Sequence, residues 1–126
     1  INMNRQNIPY NAAKETHDDG FKNQKIEKKY NTHSETSTQA FAKAKHVNGI
    51  PNSQEPYETQ TRIPDRNNQG MFCTQYEFRN DYGTHISIRS DNPTEYENSA
   101  GNQKGHYNAG VKDGTLGQHH SYDRRN

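Results

Sequence analysis

Seven of the 126 residues are histidine, a high share for a chain of this size. His85, His106, His119 and His120 fall where alternation predicts a sheet, and His46 stands at the end of a predicted helix. An imidazole titrates near neutrality, so it can take a proton from one atom and return it to another. Metal-free RNA cleavage needs little more. A base activates the ribose 2′-hydroxyl, an acid protonates the leaving 5′-oxygen, and a cation or hydrogen-bond donor steadies the phosphorane. His106, with His119 or His120 on a neighbouring short strand, would share the acid and base roles, and Arg89 would supply the charge. Adjacent strand residues point to opposite faces, so only one of His119 and His120 can enter a given cleft. The loop Gly101–Gly105, with Lys104, leads directly into His106 and offers backbone N–H groups to a phosphate, although it lacks P-loop spacing. Any one surface histidine is more often inert than catalytic, so the fold must bring these groups together.

The elements that would position them are legible in part. Thr36-Ser37-Thr38-Gln39 fits a capping box, and Ala40, Phe41, Ala42 and Ala44 supply helix formers and an apolar face. The pattern predicts a helix from about Ser37 to His46, ended by Gly49 and Pro51. Residues 47–70, rich in Pro, Asn, Gln and Gly, are expected to be an irregular loop. Phe72, Thr74, Tyr76 and Phe78 then alternate with polar residues, Asn80 to Gly83 make a turn, and His85 to Arg89 alternate again. That is an antiparallel hairpin, whose aromatic stripe is expected to pack the core. Short strands are expected at His106–Ala109 and Gln118–Tyr122, joined through Lys112-Asp113-Gly114. The order predicts an α+β fold: N-terminal helical segments, then a small antiparallel sheet of about four strands. Residues 1–34 read as a linker or loosely helical lead-in, and residues 35–126 as the folded domain.

Composition bounds the possibilities. Leu, Ile, Val and Phe number only 14, against 25 Asn and Gln. So low an aliphatic share is a mark of disorder, but the net charge is only +1 and there are 8 Tyr and 4 Phe, which disordered chains usually lack. A small domain with a thin, aromatic-rich core is expected. No apolar run is long enough to span a membrane, and no apolar signal-peptide core is visible at the N-terminus. The single Cys73 excludes an internal disulfide and a cysteine-based zinc site. Residues 1–45 carry a net +3 and residues 46–126 a net −2, so the C-terminal part has no general attraction to nucleic acid. A non-catalytic protein- or glycan-binding module is therefore a competing reading.

A metal-dependent nuclease is the other competitor. A ββα-metal unit needs a helix to return a second ligand after the first His strand. Six residues after His120 cannot hold one, and Gly114 and Gly117 oppose one after His106. The carboxylates Asp65, Asp91, Glu95, Asp113 and Asp123 show no ligand spacing.

Together, Lys45-His46-Val47, Thr61-Arg62-Ile63-Pro64, Tyr76-Glu77-Phe78, Ile86-Ser87-Ile88-Arg89, Gly105-His106-Tyr107-Asn108 and Gly117-Gln118-His119-His120-Ser121-Tyr122 resemble the C-terminal nuclease domains of bacterial polymorphic toxins. Those are the warheads of contact-dependent inhibition, Rhs/YD-repeat and wall-associated toxins. The chain is most similar there to a three-histidine family catalogued as HNH/endonuclease VII-like, over about residues 45–122. The family pattern maps onto His46, Arg89, His106, Asn108 and His119, with Tyr122 as the closing aromatic; His120 stands where the family usually has an aromatic. Ser90-Asp91 follows Arg89, a departure that weakens a metal site there. A helix followed by a sheet whose last strand carries histidine resembles instead the barnase/EndoU/colicin/RelE group of ribonucleases.

The resemblance thus implies a toxin nuclease, with residues 35–126 as the nuclease domain. The expected activity is metal-independent cleavage of RNA, with tRNA the favoured target; the alternative is a metal-dependent HNH/endonuclease VII-like DNase. His46, Arg89, His106, His119, His120 and Tyr122 are the expected catalytic residues, and Arg62, Lys104 and Asn108 are expected to bind substrate. No cofactor is expected unless the metal alternative holds. The implied partner is a cognate immunity protein, with no membrane partner. The implied setting is a larger secreted or surface-delivered toxin acting in the cytoplasm of a target bacterium.

Overall fold

The computed structural model describes residues 30–93 and 105–126. Seven elements occur there: β1 (Thr32–Thr36), α1 (Ser37–Val47), β2 (Glu58–Pro64), β3 (Phe72–Arg79), β4 (His85–Asp91), β5 (His106–Val111) and β6 (Gln118–Arg124). The six strands form one sheet in the order β1-β6-β5-β4-β3-β2. β1 runs parallel to β6 and every other pair is antiparallel. The chain is α+β with one helix against a mixed sheet. The expected four strands are six, and no helix precedes α1 among the described residues.

Both unforeseen strands lie at the edges of the sheet. β1 includes residues 32–34, assigned by the sequence to the lead-in; its polar THSET has no apolar alternation and is ordered by its pairing with β6. β2 lies within the expected irregular loop. It is exposed along nearly its whole length, so no buried face imposes an apolar period of two.

The helix forms for the reason its sequence suggests. The Thr36 hydroxyl accepts from the backbone N–H of Gln39, and the Gln39 side chain accepts from the N–H of Thr36. Gly49, at φ 76°, takes the left-handed turn just past the helix end, where a side chain would be strained. Ala40 and Ala44, both fully buried, let α1 approach Phe78, Ile86, Ile88, Ala109 and Tyr122. Phe41 meets Tyr76 edge-on at 5.1 Å between centroids and Tyr107 at 5.1 Å, within the favourable range for aromatic pairs.

Few aliphatic residues are available, and buried amides fill the gaps. Asn48 and Gln118 bond reciprocally, with Asn48 Nδ2 donating to Gln118 Oε1 at 2.8 Å and Gln118 Nε2 donating to Asn48 Oδ1 at 2.9 Å. Asn80 Nδ2 donates to the Asn48 carbonyl, and its Oδ1 accepts from the N–H groups of Tyr82 and Thr84. The helix end, the last strand and the β3–β4 turn are thereby tied into one polar network with its groups satisfied.

Strand alternation and register assign every strand side chain to a face. Tyr76, Phe78, Ile86, Ile88, Tyr107, Ala109, Gln118, His120 and Tyr122 face α1. Cys73, Gln75, Glu77, Arg89, Asp91, His106, Asn108, His119 and Ser121 face the other way.

Candidate active site

The face of the sheet away from α1 carries nearly all the ionisable strand residues. Asp91 is the register partner of His106 on β5, and Arg89 is the partner of Asn108. Asn108 is in turn the partner of His119 on β6. Adjacent strands therefore set Arg89, Asp91, His106, Asn108 and His119 side by side.

Asp91 organises this group. Its Oδ1 accepts from Arg89 Nε at 2.6 Å and its Oδ2 from Arg89 Nη2 at 3.0 Å, a two-pronged pair that fixes the guanidinium plane. The same carboxylate lies 3.2 Å from His106 Nε2. Burial alone would push the Asp91 carboxyl up, but the hydrogen bonds from His106 and Arg89, with their charges, outweigh it and hold it at about 2. An ionised Asp91 accepts only, so His106 carries a proton on Nε2, and any imidazolium formed is stabilised.

His119 stacks on His106 with centroids 4.0 Å apart and planes 17° from parallel. Burial, and then the charge of His106, push the His119 imidazole below its ordinary 6.5. One ring is backed by a carboxylate and its neighbour is held towards neutrality. Asn108 donates from Nδ2 to the Leu116 carbonyl at 3.2 Å, while its buried Oδ1 has no partner among the described residues. It stands between Arg89 and His119 as an unused acceptor.

A cavity of about 320 Å³ opens beside the group, lined by Asp65, Arg66, Asn67, Cys73, Arg89, Asp91, Asn92 and His106 among others. Asp65 shapes its rim, accepting from Asn92 and Asn68 side chains and from the N–H of Asn67. Burial and the charges of Asp91 and Asp65 push the Cys73 thiol up to about 11, which disfavours its thiolate.

The expected site residues divide cleanly. Arg89, His106, Asn108 and His119 are together. His120 is not with them: it is fully buried under α1, with Nε2 against Gln118 Oε1 at 2.9 Å and Nδ1 against Thr32 Oγ1 at 2.7 Å. Burial, then the charges of His119 and Lys43, push it down to about 4, so at neutral pH it is an uncharged core residue. Tyr122 also lies on the helix side, buried in the core. His46 is exposed on the last turn of α1, across the sheet from His106. Arg62 stacks its guanidinium over the Phe72 ring at 4.5 Å and does not line the cavity; Arg66 does. Lys104 lies outside the described residues. Among those residues, no three His, Cys, Asp or Glu side chains converge as a metal-ligand group.

Sequence reasoning missed the role of Asp91, weighing it only as a metal ligand. Its signal was present: Arg89 and Asp91 are two apart on one strand and so share a face. His33 was missed because it lay in the expected lead-in. Its Nδ1 is 2.6 Å from Ser121 Oγ and its Nε2 is 3.0 Å from Asp123 Oδ1. No sequence spacing reports a contact across 88 residues.

No family model, curated protein or solved structure matches the chain.

Proposed function

We propose that this domain is a metal-independent ribonuclease, the nuclease part of an antibacterial toxin, acting on RNA with tRNA as the favoured target. The observation that carries the reading is the stacked His106–His119 pair beside Asp91 and Arg89 on the face of the sheet away from α1. The pair would supply a proton-transfer group, Arg89 would meet the charge that develops on the phosphoryl oxygens, and Asn108 would help hold the substrate. One helix on one face and a histidine-bearing polar face opposite support the likeness to the barnase/EndoU/colicin/RelE layout. In this reading the domain is delivered into a target cell's cytoplasm by a larger secreted or surface-borne chain, and a cognate immunity protein covers the open face until then.

The test is to incubate the chain with tRNA and with DNA in EDTA. RNA cleavage is expected to persist. Activity that needs Mg²⁺ or Zn²⁺ and falls on DNA would point to the metal-dependent alternative, and no cleavage of either would point to a binding module. His106→Ala should lower RNA cleavage at least about 100-fold while the circular dichroism spectrum stays unchanged; a fully active variant removes His106 from the site.

A further inference from the structure

The site does not stop at His119. Ser121 is the register partner of His106 on one side and of His33 on the other. A single row therefore crosses four strands on the open face, His33–Ser121–His106–Asp91. We propose that His33 is a further catalytic residue, the general base that takes the proton from the attacking ribose 2′-hydroxyl. The assignment rests on the ribonuclease reading above and changes it in one respect: the His106–His119 stack is left with the acid role and the stabilisation of charge.

Hydrogen bonding fixes the tautomer of His33. An ionised Asp123 only accepts, so the 3.0 Å contact requires the proton on His33 Nε2. In the neutral ring the lone pair is then on Nδ1, 2.6 Å from Ser121 Oγ, whose other contact is the Thr32 carbonyl at 3.5 Å. A carboxylate that holds an imidazole with its lone pair aimed at a hydroxyl is the arrangement by which oxygen nucleophiles are deprotonated. Ser121 occupies the position a substrate hydroxyl would take. His33 and Asp123 are 48% and 49% exposed, so a substrate can reach them.

Geometry favours His33 over His119 as the base. In-line displacement at phosphorus places the attacking and leaving oxygens on opposite sides, so the base and acid must flank the phosphoryl group. Rings stacked face to face at 4.0 Å leave no room for phosphorus between them. His33 is two strands from His106, about 10 Å between Cα atoms at the usual strand spacing. Ser121 alone stands between them in the row. The charged and titratable neighbours of His33 are Asp123 and His119 on β6, Glu35 on its own strand, His106 beyond Ser121, and Lys43 of α1. Glu35 is paired with Arg124 at 3.9 Å, and Lys43 Nζ donates to the His33 carbonyl.

The step balances. His33 Nδ1 takes the 2′-hydroxyl proton as O2′ bonds to phosphorus, and the phosphorus–O5′ bond breaks. O5′ receives a proton from the stacked pair, giving a 2′,3′-cyclic phosphate and a 5′-hydroxyl.

The experiment uses the full chain, His33→Ala and His33→Gln, with RNA and with a nucleoside 3′-(4-nitrophenyl phosphate), whose leaving group needs no acid. Gln preserves a donor towards Asp123 and so guards the β1–β6 pairing. Both variants should lose at least about 100-fold in kcat/KM on both substrates, and added imidazole should restore part of the rate of His33→Ala. His106→Ala should instead recover on the nitrophenyl ester. A His33→Gln variant within threefold of the unmodified chain overturns the proposal, as does a loss confined to RNA or one that imidazole does not relieve. If the unmodified chain cleaves no RNA, the ribonuclease reading itself fails; if it cleaves RNA and His33→Gln does too, only the His33 assignment fails.

Discussion

Replacing Asp91 with Asn tests whether the centre of the open face is held by charge. The carboxylate receives two bonds from Arg89 and one from His106, with its side chain only 18% exposed. These contacts hold its carboxyl at about 2 against an ordinary 3.8. At about 1.36 kcal/mol per pKa unit, the ionised form stabilises the fold by about 2 kcal/mol. Because the folded-state pKa is depressed, this contribution is fully present above about pH 5 and is lost as the pH falls towards 2. Asp91→Asn should therefore be about 2 kcal/mol less stable at pH 7, and the gap should close to under about 0.5 kcal/mol near pH 2, where about half of the native carboxyl is protonated. Urea unfolding at a series of pH values measures this. Circular dichroism and tyrosine fluorescence can report it, since the chain has 8 Tyr and no Trp. An equal gap at pH 7 and pH 2.5 would refute the argument, because the cost would then belong to shape and not to ionisation.

Three further outcomes follow from the core side of the sheet. His120, held at about 4 against 6.5, is depressed by burial. Folding stability should fall by about 3 kcal/mol as the pH drops from 6.5 to 4, and His120→Gln should flatten that slope in the same titration; an unchanged slope assigns it to other groups. Gly105→Ala would place a Cβ 2.6 Å from Cζ of Tyr122, whose ring is 3% exposed; urea unfolding should show a loss of about 1–3 kcal/mol, and a loss below about 0.5 kcal/mol would mean that the ring yields. The buried Tyr122 hydroxyl has no partner among the described residues, so Tyr122→Phe should be neutral or stabilising by up to about 1 kcal/mol; a clear destabilisation would reveal a partner for it.

What the sequence disclosed follows from which interactions are local. The capping box of α1 and the β3–β4 hairpin are written within a few residues, and both form over nearly the expected spans. β5 and β6 were legible through their turn and their aromatic and small residues. β1 and β2 were not, since an edge strand with polar residues on both sides carries no periodic signal. The site was half legible for the same reason. His106 and His119 stood out by residue type, and alternation already required that only one of His119 and His120 enter the cleft. Which one depends on register with β5, a long-range fact: Asn108 is the partner of His119 and Tyr107 that of His120, and Tyr107 belongs to the core. Tyr122 was displaced from the expected site by the same parity.

That parity also explains how so thin a core can hold a site in place. Most candidates on the face away from α1 have a buried residue next to them in the chain. Arg89 follows Ile88, His106 precedes Tyr107, and His119 and Ser121 are each flanked by His120. A side chain on the open face cannot shift along the strand without moving its neighbour through a packed interior, where displacement is resisted. The amide network among Asn48, Gln118 and Asn80 adds directional constraints that a larger aliphatic core would not, and it reaches β6 through Gln118, the residue before His119. A low aliphatic count and a fixed arrangement of side chains are thus met by one device. One face of the sheet is given to a small interior locked by hydrogen bonds, and the other carries the row from His33 to Asp91.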